Sequence, residues 1–247
     1  MIKHKIGFEE AIQKATIDTN TRSSIGEEQE KMVHATLKHY FEDDKSKQEV
    51  KIEGFIADIY NEEGIIEIQT RSFDKLRHKL DAYFPKYDVT IVYPIIENTY
   101  VAHIDKDLSL RKSPVHKSIV SAFKEIYKIK FYLKNPCLHF HFVYLDIKDL
   151  KCENGLNRYK KIRYKSIDKI PIKLNNEQGY DNYHDFIHIL DGIDDNFTVK
   201  SLSKLLKSKR QDTSYLVLVL KYLDLIEVVD KIKREYIYKV KRGEYGI

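Results

Sequence analysis

The stretch that decides the fold spans residues 54–70 and reads Gly-Phe-Ile-Ala-Asp-Ile-Tyr-Asn-Glu-Glu-Gly-Ile-Ile-Glu-Ile-Gln-Thr. Two apolar runs of strand length flank the polar segment 61–64. Such four-residue connections close antiparallel hairpins, and Gly64 can adopt the positive φ that the end of the loop needs. The pattern predicts a β-hairpin with acidic residues in apolar surroundings.

This hairpin brings two acidic side chains face to face. With residues 61–64 as the loop, Tyr60 faces Ile65 and Asp58 faces Glu67. Gln69 shares the face of the two acids, and the other, predicted core face holds Ala57, Ile59, Ile66 and Ile68. Directly opposed like charges destabilise a strand pair, and a bound cation would relieve them. Oxygen ligands favour Mg²⁺, then Mn²⁺. Acids on a solvent-exposed hairpin face are the alternative.

The composition is that of a globular chain. Its 247 residues can bury one substantial core and a smaller one. The longest apolar runs, 89–96 and 215–220, are much shorter than a bilayer span, and the first residues form no secretory signal. Cys137 and Cys152 match no metal or redox spacing. We therefore expect a cytoplasmic protein without a membrane partner.

Positive charge is concentrated between residues 158 and 173. The formal net charge is +5, and in this stretch only Asp168 opposes a run of basic residues: Arg158, Lys160, Lys161, Arg163, Lys165, Lys169 and Lys173. Tyr159 and Tyr164 are interleaved with them, which suits a surface that follows phosphates and stacks on bases. A solvated loop or an edge strand would have the same composition. Both interpretations stay open.

Apolar periodicity predicts an alternation of helices and strands. The first part reads as a helix over 27–40, strands over 49–60 and 65–69, a helix over 73–84 and a buried strand over 89–95. Further elements follow: a strand over 100–104, a helix over 117–133 and a strand over 137–147. This order is typical of an α/β protein in which helices flank a mixed central sheet.

The pattern changes after residue 180. Three short helices are predicted, followed by strands over 225–229 and 235–240. This is the order of a winged helix-turn-helix, whose third helix enters the DNA major groove. Basic and hydroxyl residues near the start of that helix suit phosphate and base-edge contacts: Lys207, Lys209, Arg210 and Thr213. A module that contacts proteins or only packs is the alternative.

Between Glu30 and Ile95 the chain resembles the PD-(D/E)xK nuclease superfamily, whose core runs acid-bearing helix, strand with Asp, strand with Glu-x-Lys or a variant, helix, strand. It is also similar to a bacterial group that joins such a core to a winged helix, through the stretches Glu30–Lys38, Ala57–Ile59, Ile65–Thr70 and Val92–Ile95. The resemblance implies a restriction endonuclease-like core. It divides the chain into an N-terminal segment (1–25), a nuclease-like domain (26–150), a basic linker (151–180) and a winged-helix domain (181–247).

The same resemblance implies a metal site. Asp58 and Glu67 would hold Mg²⁺ or Mn²⁺, with the carbonyl of Ile68 as a further ligand. Glu30 would be an accessory carboxylate. His34, one turn after Glu30, would bond a phosphate or orient Glu30, or would simply pack under the sheet.

Gln69 departs from the family pattern. The superfamily usually has a lysine at this position, and glutamine offers an amide without charge. Arg71, or Lys75 on the next helix, could supply the missing cation. Glu-x-Gln variants that resemble this core include active nucleases, so Gln69 leaves both an active and an inactive site open.

The sequence thus predicts a Mg²⁺-dependent, DNA-cleaving endonuclease-like protein to which the winged helix and basic linker bring duplex. The alternative is a DNA-binding regulator or partner-binding protein with an inactive nuclease core. Because the core would read phosphate and not sugar, RNA stays open as a substrate. A homodimer stays open as well, since many enzymes of this architecture cut both strands as dimers.

Overall fold

The fold is organised around a seven-stranded mixed sheet. The computed structural model describes residues 2–21, 31–105, 110–114, 116–156, 162–193 and 196–241. Its first strands are β1 (Gln48–Ile52), β2 (Phe55–Asn61), β3 (Gly64–Ile68), β4 (Val89–His103), β5 (Arg111–Lys112), β6 (Leu138–Leu156) and β7 (Ile162–Tyr180). The spatial order is β1-β2-β3-β4-β6-β7, with β5 paired to β4. Strands β3, β4 and β6 run parallel, and the remaining neighbours are antiparallel.

Helices cover both faces of this sheet. On one face, α1 (Phe8–Thr21) and α2 (Lys31–Phe41) enclose an apolar cluster with β3, β4 and β6. On the other face, α3 (Arg77–Tyr83) and α4 (Phe123–Ile126) belong to a larger cluster. The predicted α/β class with a helix-flanked mixed sheet is confirmed. No helix within the described ranges is long and apolar enough to cross a membrane.

The predicted hairpin register is correct. Tyr60 pairs with Ile65, and the ladder closes at Asn61 and Gly64. Gly64 has φ 95°, and a β-carbon there would lie 2.6 Å from the carbonyl oxygen of Asp88. The turn therefore requires glycine for both its conformation and its lack of a side chain.

Several predicted elements differ from the observed ones. The strand predicted over 49–60 is a hairpin, because Glu53 and Gly54 both have positive φ (48° and 84°), as a tight two-residue turn requires. The helix predicted over 117–133 is interrupted by 3₁₀ turns, and Ile129 has non-helical angles. The strand predicted over 100–104 is the end of β4.

The described residues of the stretch predicted as a basic linker lie in strands of the large sheet. Residues 162–180 form β7, which pairs with β6 along nearly its whole length. Its exposed and half-buried residues alternate, because β7 is an edge strand with solvent on much of its surface. Arg158, Lys160 and Lys161 lie outside the described ranges, and so does Glu30.

The C-terminal part joins the larger core. A 3₁₀ helix (Tyr183–Leu190) precedes α5 (Val199–Leu205), α6 (Arg210–Tyr222), β8 (Ile226–Ile232) and β9 (Glu235–Val240). The Phe186 ring lies 5.3 Å from that of Phe123 and 5.5 Å from that of Phe140 (centroid distances). The boundary predicted at residue 181 therefore does not separate two hydrophobic cores.

Candidate functional site

Asp58 lies where β2 separates from β3. The ladder between these strands runs from Asn61 and Gly64 back to Ile59 and Ile66. Beyond the ladder, the Asp58 carboxylate replaces a backbone acceptor: its Oδ2 accepts a hydrogen bond from the backbone N–H of Ile68 at 2.8 Å. Ile68 thus contacts the site through its N–H group.

The neighbours of Asp58 stabilise its charged form. His34 on α2 places Nε2 3.2 Å from Asp58 Oδ2. Burial would raise the pKa of Asp58, but His34, the Ile68 N–H and the more distant Lys79 outweigh it and hold the pKa below the usual range. His34 therefore positions Asp58. A contact with Glu30 lies outside the described residues.

Glu67 is the buried member of the pair. It lies on the face of β3 that also carries Ile65, and the larger core covers this face. The alternative of acids on a solvent-exposed hairpin face is therefore wrong for Glu67, because β3, which pairs in parallel with β4, is covered on both sides. Burial, together with the charge of Asp58, raises the pKa of Glu67 to about 7 despite the opposing effect of Lys79.

Lys79 on α3 is the cation of the site. Its Nζ lies 2.8 Å from each carboxylate oxygen of Glu67 and also donates to the carbonyl of Ile56 at 2.6 Å. Arg71 and Lys75, which the sequence favoured, are both exposed. Lys79 follows Leu76 by three positions on the amphipathic stretch, so it borders the sheet-facing side. That spacing is the signal that would have found it.

Two further side chains complete the surroundings. The Tyr83 hydroxyl is buried beside Glu67 and makes no hydrogen bond of standard geometry with a described residue. Burial and the two carboxylates raise its pKa. Gln69 is half-buried, and its backbone N–H donates to the carbonyl of Val92 at 2.9 Å. The buried Tyr83 hydroxyl leaves a polar group available beside the acids.

The side chains that could bind a metal are of the type that a hard divalent ion prefers, but there are few of them. Asp58 and Glu67 supply carboxylate oxygens, the ligands that Mg²⁺ prefers. Among the described residues no group of three or more His, Cys, Asp and Glu side chains is arranged to hold a metal. An ion at Glu67 would have to share that carboxylate with Lys79.

The predicted nucleic-acid residues fall into different environments. Lys207, Lys209 and Arg210 are exposed around the start of α6, and Arg210 pairs with Glu235 at 2.8 Å. Thr213 is fully buried, and its Oγ1 bonds the Lys209 carbonyl. A direct Thr213 contact with DNA is therefore wrong for this structure. Arg163 is exposed on β7.

Comparison with known proteins gives the family. A family model described as "Domain of unknown function (DUF8091)" matches residues 31–181. The chain belongs to this family. The DUF8091 segment contains all seven strands of the large sheet together with His34, Asp58, Glu67 and Lys79, whereas α5, α6 and the β8–β9 hairpin lie beyond it.

One relative is similar to the chain over part of its length. A protein of Treponema pallidum (strain Nichols), named "Uncharacterized protein", is 31% identical over 156 residues, which is 61% of each chain. The DUF8091 chain thus spans less than two thirds of that relative's length. No solved structure matches it.

Proposed function

We propose that this protein is a Mg²⁺-dependent endonuclease-like protein that hydrolyses phosphodiester bonds in DNA. The observation that carries the proposal is the buried Asp58–Glu67 pair with Lys79 on both oxygens of Glu67. Two carboxylates and an ammonium group are what the PD-(D/E)xK resemblance requires. Lys79 would fill the role of the lysine that Gln69 replaces.

The order of elements supports the same proposal. Helix α2, the antiparallel strands β1 to β3, helix α3 and the parallel strand β4 follow one another as in that superfamily. In this protein Asp58 lies on β2 and Glu67 on β3. The resemblance therefore rests on topology as well as on residue types.

Asp58 and Glu67 would hold the metal ion. When bound, it would lower the pKa of a coordinated water and offset negative charge on the attacked phosphate. His34 holds Asp58 in place and favours its charged form. Lys79 would give up one Glu67 oxygen and become available to a phosphate. The Tyr83 hydroxyl could accept a hydrogen bond from a water or donate one to a ligand.

The C-terminal elements would bring duplex DNA to this site. Their order is helix, single bridge at Phe197, two helices and a hairpin, which is the order of a winged helix. Lys209 at the start of α6 is exposed and lies close enough to Lys117 to lower the pKa of that lysine. A basic surface therefore continues from α6 towards the sheet, which favours DNA as the partner.

Cleavage of supercoiled and linear DNA with Mg²⁺ or Mn²⁺ tests the proposal. Asp58→Asn and Lys79→Met should each abolish cleavage, while gel-shift binding without metal survives. Lys75→Met, an exposed lysine one turn before Lys79, is the matched control and should cleave like the wild type. Absence of cleavage by the wild type across DNA and RNA substrates with both metals would refute the proposal.

A second candidate is a DNA-binding regulator with an inactive core. Lys79 already neutralises Glu67, and no three-ligand group is present among the residues that the structure covers. This candidate predicts that DNA affinity is unchanged by Mg²⁺ and by Asp58→Asn. The affinity should be lost when the charges of Lys209 and Arg210 are reversed. Competition between matched DNA and RNA duplexes then identifies the nucleic acid.

A further inference from the structure

A cavity opens at the end of β3, beside the acidic pair. Its volume is about 390 Å³, within the range of pockets that hold small molecules, roughly 300–1,000 Å³. Thr70 and Val33 line it, the first directly after Gln69 and the second directly before His34. The cavity therefore begins one residue from two groups of the candidate site.

Three cations from distant parts of the chain line this cavity. Arg71 follows β3, Lys117 precedes α4 and Lys169 belongs to β7. None of the three side chains forms an ion pair with a carboxylate of a described residue, and Asp168 is the acidic residue of the wall. Positive charge thus exceeds negative charge in a partly enclosed space, which favours an anion.

The surroundings of Lys117 show the same imbalance. Lys117 is exposed as a residue, but partial burial of its ammonium group, with repulsion from Lys169 and Lys209, lowers its pKa, and Asp212 offsets this only in part. Lys169 of β7 and Lys209 at the start of α6 therefore both repel Lys117. A bound phosphate would relieve that repulsion.

Apolar residues form much of the remaining wall, together with the hydroxyl residues Thr70, Ser121 and Ser166, and this wall is too extensive for a bare phosphate. The accessible apolar groups are Tyr93 of β4, which is half-buried, and Ile167 of β7, which is 39% exposed, while Pro94 and Ile95 of β4 are buried behind the wall. Apolar side chains and an aromatic ring are the surfaces on which a planar base packs. Cationic and apolar walls in one cavity match the two halves of a nucleotide.

We propose that this cavity binds one unpaired nucleotide of a nucleic-acid strand, with the phosphate among Arg71, Lys117 and Lys169 and the base against Tyr93 and Ile167. A base inside a duplex is held by stacking and pairing and cannot enter such a cavity. Where the proposed nuclease function also holds, on which this substrate assignment rests, the substrates are strand ends, flaps or single-stranded segments next to duplex.

Binding without metal tests the cavity. A fluorescent single-stranded oligonucleotide with a 5′ phosphate is titrated with the full chain in EDTA, and unlabelled competitors are added. Thymidine 5′-monophosphate should displace the probe, and thymidine should do so at least about tenfold less well, because it lacks the charge-assisted hydrogen bonds. Equal competition by the two, or none by the nucleotide at millimolar concentration, overturns the inference. Displacement by inorganic phosphate as effective as by the nucleotide would overturn the role of the base.

Variants locate the binding to this cavity. Lys117→Gln and Arg71→Gln should each weaken thymidine 5′-monophosphate binding about tenfold, as expected for the loss of one charge-assisted contact. Lys124→Gln removes an exposed lysine on α4 outside the cavity and should leave binding within about twofold. Equal effects of Lys117→Gln and Lys124→Gln would contradict the assignment, provided that all variants keep the wild-type melting temperature.

The two proposals can fail separately. Nucleotide binding that persists in Asp58→Asn, with no cleavage by the wild type, supports the cavity and refutes the nuclease. Cleavage that depends on Asp58 but is equally fast on blunt duplex and flapped DNA, and unchanged in Lys117→Gln, supports the nuclease and refutes the cavity.

Discussion

The acidic pair and the neighbouring cavity differ in whether their charged side chains have partners of opposite charge. At the acidic pair, His34 and the Ile68 N–H stabilise the charge of Asp58, and Lys79 offsets part of the cost of a charged Glu67. In the cavity that begins beside them, Arg71 and Lys117 have no ion-pair partner among the described residues. Each acid of the first region thus has a polar partner within the protein, whereas these two cations of the second region gain from a bound anion.

The comparison has a direct consequence for mutations. Removing a cation from the acidic pair leaves a buried acid without its partner, and removing one from the cavity relieves repulsion. Stability measurements therefore distinguish a compensated charge from an uncompensated one before any ligand is known. Four substitutions test this, from the largest expected effect to the smallest.

Lys79→Met should be the most damaging. It leaves the buried Glu67 carboxylate without its ammonium partner, and loss of one member of a buried pair costs about 3 kcal/mol of unfolding free energy. Urea unfolding at pH 8 in EDTA measures this loss of unfolding free energy. The double variant Lys79→Met, Glu67→Gln should recover much of the loss. A double variant no more stable than Lys79→Met would show that packing of the Lys79 stem, and not charge, is responsible.

Glu67 should make stability depend on pH. Its pKa is raised to about 7 in the folded protein, from 4.5, so between these values the unfolded chain loses a proton that the folded chain keeps. Stability contributed by the protonated form is complete below pH 4.5 and lost as pH rises through 7. In EDTA, wild type should fall by roughly 2 kcal/mol relative to Glu67→Gln between pH 5 and pH 8.5. Thermal melts across this range check it, and parallel curves would contradict it.

His34→Ala should have an intermediate effect. It removes one of the two close contacts of Asp58 Oδ2 while the Ile68 N–H remains, so we expect a loss of about 1 kcal/mol at pH 7. Chemical denaturation measures it. His34→Asn, which keeps a donor, should recover part of the loss. An unchanged midpoint in both variants would mean that His34 only fills space.

Lys117→Met should have the smallest effect and the opposite sign. Because Lys169 and Lys209 repel Lys117, its removal should leave stability unchanged or raise it by a few tenths of a kcal/mol at low salt. The gain should vanish in about 0.5 M salt, where such repulsion is screened. Lys124→Met is the control. Destabilisation by Lys117→Met beyond that of the control would show a hidden partner.

Local signals in the sequence predicted the hairpin well. Alternation and Gly64 fixed the pairing of Tyr60 with Ile65, and this register brought Asp58 and Glu67 to one place. These features depend on residues close together in the chain. Glu53 and Gly54 also carried a local turn signal, which strand-like sequence on both sides of it obscured.

The burial of the acidic face and the identity of its cation could not be predicted from the hairpin. Both depend on how α3 packs over β3, which places Lys79 against Glu67 across twelve positions of sequence. The cavity depends on contacts even more distant in sequence. Arg71, Lys117 and Lys169 come together only because of the order of strands in the sheet. In β7, alternating basic and apolar residues fitted a loop and an edge strand equally well.

The continuous core also bears on how the family can vary. The DUF8091 segment ends at residue 181, yet the rings of Phe123 and Phe140 are covered by Phe186, which lies beyond it. Expressed alone, residues 31–181 would present these two rings to water and would be prone to associate. Any relative that keeps the segment but replaces the C-terminal helices and hairpin must bring another apolar cover. The C-terminal part thus supplies one side of the larger core, whatever else it binds.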